Sequence, residues 1–104
     1  MNKSRALGIL GLAFRAGKVT HGEELVLETI RANRAKCVLL ADDAGPNTTK
    51  RITDKSAYYH VLLVHGFSGD ELSKAIGKTN RKVVALSDEN FVKMLVASIG
   101  EETK

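Results

Sequence analysis

Two glycine–lysine pairs are the first places in this chain where phosphate chemistry could be housed, and neither fits. From Gly11 to Gly17-Lys18 there are five intervening residues where a phosphate-cradling P-loop has four, and Val19 stands where a Ser or Thr would hold magnesium. Gly77-Lys78-Thr79 has the right ending, but Leu72 occupies the place of the first glycine and the pair follows a predicted helix, not a strand. Asp42-Asp43, at the end of an apolar run, has the look of a receiver-type magnesium pair. The next strand, however, ends Val64-His65 with no aspartate to phosphorylate, so the two carboxylates read as turn formers. Cys37 is the single cysteine, which excludes an internal disulfide and a multi-cysteine zinc site; it opens a core strand as a small hydrophobe. His21, His60 and His65 have no metal-ligand spacing and no carboxylate neighbour, and are expected on the surface or in loops. No enzyme, cofactor or metal is expected.

The stretch from Gly17 to Arg31 is more informative. A short Val-Thr segment runs through Gly22 into a helix, and Thr20 and Glu23 have the spacing of a capping box. Gly22 then falls in the first turn, where an interior glycine costs roughly 1 kcal/mol relative to alanine. It is either a plain turn glycine or the mark of a ligand that approaches the free N–H groups and positive dipole end of the helix. The basic residues favour the second reading. Lys50, Arg51 and Lys55 follow one loop, while Lys78, Arg81 and Lys82 cluster in another. Together with Lys18 and Gly22 they describe one anion-facing surface. Sixteen basic against twelve acidic residues, net +4, point the same way. Phe67, between Gly66 and Ser68, is the candidate exposed apolar contact; Tyr58 and Tyr59 read as cover for the core.

These residues need elements to hold them. Helices are predicted over Ser4–Arg15, with Leu7, Ile9, Leu10, Leu12 and Phe14 inward, over His21–Asn33, and from an Asn47 or Thr48 cap to Tyr59. A short helix opens at a Ser68–Glu71 capping box, and a last one over Asp88–Ile99 buries Phe91, Val92, Leu95, Val96 and Ile99. Val19-Thr20 is a minimal edge strand; Lys36–Ala41 and Val61–Val64 are strands buried on both faces, and Lys82–Leu86 is the last strand. The alternation predicts an α/β fold, a three-layer α/β/α sandwich in one domain over residues 1–104, with 100–104 a frayed tail. The basic start before Ala6–Ala13 superficially suggests a signal peptide, but Arg15 and Lys18 follow at once with no cleavage site. No run approaches the length of a membrane span, and a cytoplasmic protein is expected.

Gly11–Val19, Gly22, Ile30-Arg31 and Ala35–Ala44, continued by Asn47–Arg51, Ala75–Lys78 and the Phe91 helix, resemble the bacterial YlxQ-type relatives of ribosomal proteins. These belong to the L-seven-Ae/L-thirty-e superfamily of kink-turn RNA binders. The resemblance covers about Ser4 to Ile99 and implies a mixed four-stranded sheet and RNA binding without catalysis. It places the RNA on Gly22, Glu23, Glu24, Leu25 and Glu28 and on the loop from Gly77 to Arg81. The chain departs from kink-turn readers where Glu24-Leu25 replace an Asn-Glu pair, where Glu28 replaces a lysine, and where Ser73 replaces a glycine. The implied partner is ribosomal or other structured RNA, with other ribosomal or translation proteins beside it, no membrane and no DNA specificity. Lys18, Lys50, Lys78 and Arg81 would meet phosphates. The alternative is a protein-interaction module that keeps the fold without the RNA site, since Glu23, Glu24 and Glu28 repel phosphate.

Overall fold

Cys37-Val38-Leu39-Leu40 and Val83-Val84-Ala85-Leu86 are apolar without alternation, and a strand can be so only when both faces are covered. The computed structural model, which describes residues 1–101, places these two strands at the centre of the sheet, buried at every position. The elements run α1 (Lys3–Arg15), β1 (Val19–His21), α2 (Glu23–Arg31), β2 (Cys37–Leu40), α3 (Pro46–Tyr58), β3 (Leu62–Val64), α4 (Gly69–Ala75), β4 (Val83–Leu86) and α5 (Glu89–Gly100). The sheet order is β1-β4-β2-β3, antiparallel in the first two pairings and parallel in the last.

The register Cys37↔Leu86, Val38↔Ala85, Leu39↔Val84 and Leu40↔Val83 sends alternate side chains to two separate cores. Cys37, Leu39, Val84 and Leu86 pack with α1, α4 and α5; Val38, Leu40, Val83 and Ala85 pack with α2 and α3. The result is the three-layer sandwich expected from the alternation of elements. Burial also pushes the Cys37 thiol up to about 12, so it stays a neutral core group. Among the described residues, no helix is long and apolar enough to cross a membrane.

Both glycine–lysine pairs prove to be helix ends, which is why neither resembles a phosphate loop. Gly17 has φ 75° and its N–H donates to Phe14 O, while Lys18 N–H donates to Ala13 O. Gly77 has φ 66° and repeats the pattern on Lys74 O, with Lys78 on Ser73 O. This is the Schellman arrangement, in which a left-handed residue lets two N–H groups satisfy the last carbonyls. Asn33 (φ 58°) and His60 (φ 56°) end α2 and α3 in the same way without glycine.

Several local expectations are corrected. Leu12 and Val96 are 49% and 44% exposed, because the stripes of α1 and α5 that face the sheet are narrower than their apolar content. Ser98 takes the buried place on α5 and donates to Met94 O. β3 is an edge strand with Leu62 exposed, not a strand covered on both faces. α3 is opened by Gly45 with Pro46 at its first position, where the missing N–H costs nothing; neither Asn47 nor Thr48 caps it. The Ser68–Glu71 capping box is present with both hydrogen bonds, at 3.1 and 2.8 Å. In the expected tail, Gly100 ends α5 and Glu101 accepts from Asn2 and Arg5; residues 102–104 lie outside the described residues.

Candidate nucleic-acid interface

Gly22 is not inside the helix but before it. Its N–H donates to Val83 O at 3.1 Å, the last tie of β1 to β4, and the chain then turns at φ 92°, ψ 146° into α2. That region is nearly closed to residues with a Cβ, so the glycine is dictated by the dihedral and not by crowding. A Cβ placed there would meet nothing within 4 Å. The expected Thr20–Glu23 capping box is absent: Thr20 lies in β1, and Gly22, as the N-cap, offers no side chain to the first turn. The first-turn amides and dipole of α2 are therefore left without a side-chain cap. Gly22→Ala is expected to lower the unfolding free energy by about 1–3 kcal/mol, the cost of a strained backbone position. A thermal melt checks this, and a rise in Tm refutes the geometry.

A cleft of about 220 Å³ opens beside this turn, lined by Gly22, Glu23, Thr48, Asn80, Arg81, Lys82 and Val83. Its basic wall is the loop between α4 and β4. Ser73, buried on α4, accepts the Arg81 N–H at 2.7 Å and donates to Arg81 O at 3.2 Å, so one hydroxyl clamps the loop backbone. A glycine at this position would leave that clamp unmade. Asn80 turns the loop at φ 54°. Lys82 reaches back to Asp43 (2.8 Å), whose other oxygen accepts the Gly69 N–H (2.7 Å). These bonds, the Lys82 ammonium first, hold the Asp43 carboxyl below its usual range. Asp42 accepts the Gly66 N–H at 2.9 Å, so both aspartates fasten loops, as turn formers would.

The Arg81 guanidinium donates through Nε to His21 Nδ1 at 2.8 Å. A histidine can accept that bond only when neutral. Burial, then the charges of Arg81 and Lys78, hold the His21 pKa below its ordinary value. His21 is thus a positioning group for Arg81 rather than a loose surface histidine. The Phe14 ring lies 5.9 Å from the His21 ring and 5.9 Å from Lys78 Nζ, joining the end of α1 to this loop.

The two carboxylates at the start of α2 share one cation. Thr48 donates to Glu23 Oε1, and Arg51 bridges Glu23 and Glu24, reaching Glu24 Oε2 at 2.9 Å. Arg51 holds the Glu24 carboxyl below its usual range, with Arg31 adding to the effect. One guanidinium thereby offsets one of the two carboxylate charges across α2 and α3, whereas Glu28 remains exposed further along.

Of the residues singled out in the sequence, Gly22, Glu23 and Arg81 line the cleft, Gly77 and Lys78 begin the loop that forms its wall, and Glu24 adjoins it through Arg51. Lys18 starts at the opposite end of β1, four residues and about 13 Å of strand away from Gly22. Lys50 pairs with Asp54 along the outer side of α3, and no contact among the described residues ties it to the cleft. Phe67 is a correction: it is 0% exposed, in the core between sheet and α1, α4 and α5, because the loop after β3 folds inward. Sequence reasoning missed Thr48 and His21 as parts of this site, and missed that Arg51 binds the carboxylates of α2. For Thr48, Arg51, Lys55 and Tyr58 the spacing of three, four and three along one helix face was the available signal.

A small α/β/α sandwich here presents an uncapped helix start beside a cationic loop, an arrangement whose amides and charges favour an anion. The profile of the Ribosomal protein L7Ae/L30e/S12e/Gadd45 family matches residues 5–96, and the chain belongs to that family. It is 48% identical over 89 residues to the RNA-binding protein YlxQ of Bacillus subtilis (strain 168), covering 86% of this chain and 89% of that one. It is 46% identical over 92 residues to the RNA-binding protein YlxQ of Enterococcus faecium, covering 88% of each. Among solved structures, a protein of unknown function from Bacillus halodurans superposes with a TM-score of 0.88 at 35% identity, over 93% of this chain and 98% of that one.

Proposed function

We propose that this protein is a non-catalytic RNA-binding protein that receives structured RNA, ribosomal or otherwise, at the cleft between the Gly22 turn and the Arg81 loop in the cytoplasm. The observation that carries the reading is the open, uncapped start of α2 facing a loop whose backbone is clamped by Ser73 and whose arginine is aimed by His21. Relatives described as RNA-binding proteins, at nearly half identity over most of the chain, support it. The first-turn amides of α2 that follow Gly22, and the cations of Lys78, Arg81 and Lys82, would meet phosphates, which position an RNA without reading its sequence. The base-reading set of a standard kink-turn binder is altered at Glu24, Leu25 and Glu28, so the preferred RNA is a different fold of the strand.

A salt titration of binding to ribosomal RNA tests the reading. Phosphate contacts release counterions, so log K should fall linearly with log salt. Replacing Lys78 and Arg81 together with alanine should weaken binding and flatten that slope by about 1–2, close to one for each contact removed. An unchanged slope places the RNA elsewhere. Binding to no RNA at all, with capture of a translation protein instead, would favour the interaction-module reading that exposed Leu25 (55%) allows.

A further inference from the structure

A second concavity lies along the α2–α3 seam, about 330 Å³ in volume, lined by Leu27, Arg31, Arg51, Asp54, Lys55 and Tyr58. Leu27, fully buried, forms its floor. Two of its cations, Arg31 and Lys55, have no hydrogen-bond or ion-pair partner among the described residues, whereas Asp54 is paired with Lys50 and Arg51 with Glu23 and Glu24. Tyr58 stands at one end, 75% exposed, with Tyr59 packed on it in a T-shaped arrangement at 4.9 Å. An aromatic face, an apolar floor and two cations without a salt bridge form a site for a group that is flat, aromatic and anionic at once. A nucleotide has that combination: its base stacks while lysine and arginine take its phosphate.

The groove also adjoins the cleft along α3. Arg51 lines the groove and holds Glu23, which lines the cleft, so one ion pair joins their walls. From Thr48 in the cleft to Tyr58 is ten helical residues, about 15 Å. A stacked strand rising about 3.4 Å per nucleotide covers that length in four to five nucleotides.

We infer that the α2–α3 groove is a second RNA subsite, which takes unpaired nucleotides flanking the structured RNA, with a base on Tyr58 and phosphates on Lys55 and Arg31. This rests on the function proposed above for the neighbouring cleft, but the two can fail separately. The probe is a hexa-adenylate RNA titrated into the full chain, followed by amide NMR shifts and by fluorescence anisotropy. Shifts are expected at Arg31, Lys55 and Tyr58. Tyr58→Ala should weaken binding about tenfold and Tyr58→Phe should restore it, because stacking needs the ring and not the hydroxyl. Lys55→Gln should flatten the salt slope by about 0.7, the value for one phosphate of a single strand. Tyr58 and Lys55 lie outside the core, so both variants should fold, and unchanged melting confirms it. Shifts confined to Gly22 and Arg81, or Tyr58→Ala binding as tightly as the natural chain, would overturn the subsite while leaving the cleft reading intact. Shifts confined to the groove would support the subsite and leave the cleft to the titration with ribosomal RNA. No shift at either would overturn the subsite.

Discussion

Phe67→Ala is expected to cost about 3–5 kcal/mol of stability, the range for removing a buried aromatic side chain from a core that cannot fully collapse around the hole. The ring is wholly buried between the sheet and α1, α4 and α5, in contact with the larger of the two cores. A domain of this size has about 5–15 kcal/mol in total, so the loss takes a large part of it and should lower Tm by on the order of 20 °C. RNA affinity measured well below the new melting point should hardly change, since no atom of Phe67 reaches the surface. Chemical denaturation together with binding at low temperature decides the matter. A loss below about 1 kcal/mol combined with weakened RNA binding would return Phe67 to the surface role that its Gly-Phe-Ser setting suggests.

The triple change Glu24→Asn, Leu25→Glu and Glu28→Lys is expected to raise affinity for a standard kink-turn about 10²-fold or more. The resemblance implies an asparagine and a glutamate at positions 24 and 25 that meet guanine edges, and a lysine one turn later. A carboxylate only accepts hydrogen bonds, so Glu24 cannot donate to a guanine O6 or N7 as an asparagine amide can. Leu25 has no polar atom, and Glu28 brings a negative charge toward phosphate. Each missing base-edge contact costs about 1–3 kcal/mol by analogy with duplex readout, and 1.4 kcal/mol is tenfold. In the structure all three residues are exposed on α2, so the exchange leaves both cores untouched. It also releases Arg51 from Glu24, while Glu23 retains it, so the guanidinium stays beside the cleft. Anisotropy against a kink-turn RNA and a melt of the variant provide the check. Tight kink-turn binding by the natural chain, or no gain in a variant that melts normally, would show that the recognition does not run through these positions.

How far each feature could be read from the chain depends on whether its cause is local. The doubly apolar runs at 37–40 and 83–86 require two covered faces wherever they sit, and the Ser68–Glu71 box is completed within four residues. The class of fold and the positions of its elements therefore follow from residues near in sequence. The same locality failed at Thr20 and Glu23, whose spacing matches a capping box, because β1 is drawn into pairing with β4 and takes Thr20 with it. Glu23 then turns to Thr48 and Arg51, twenty-five and twenty-eight residues away. Phe67 was misplaced for a related reason. Its flanking residues describe a loop, but whether a loop folds inward depends on the space between layers that it finds.

The sequence by itself determined that the chain alternates strand and helix, that a glycine stands at the start of the second helix, and that the loop of Lys78 and Arg81 is cationic. Hydrophobic periodicity, glycine and charge are properties of neighbouring residues, and they survive without a fold. Only the tertiary structure decided which cations serve the cleft. Lys18 and Lys50 are basic like Arg81, yet one lies at the far end of β1 and the other on the outer side of α3, while the loop before β4 carries Arg81 against His21. It alone decided that Arg51 binds the carboxylates of α2, since helical phase across two helices, set by Ile52 and Val26 packing into one core, turns that side chain toward them.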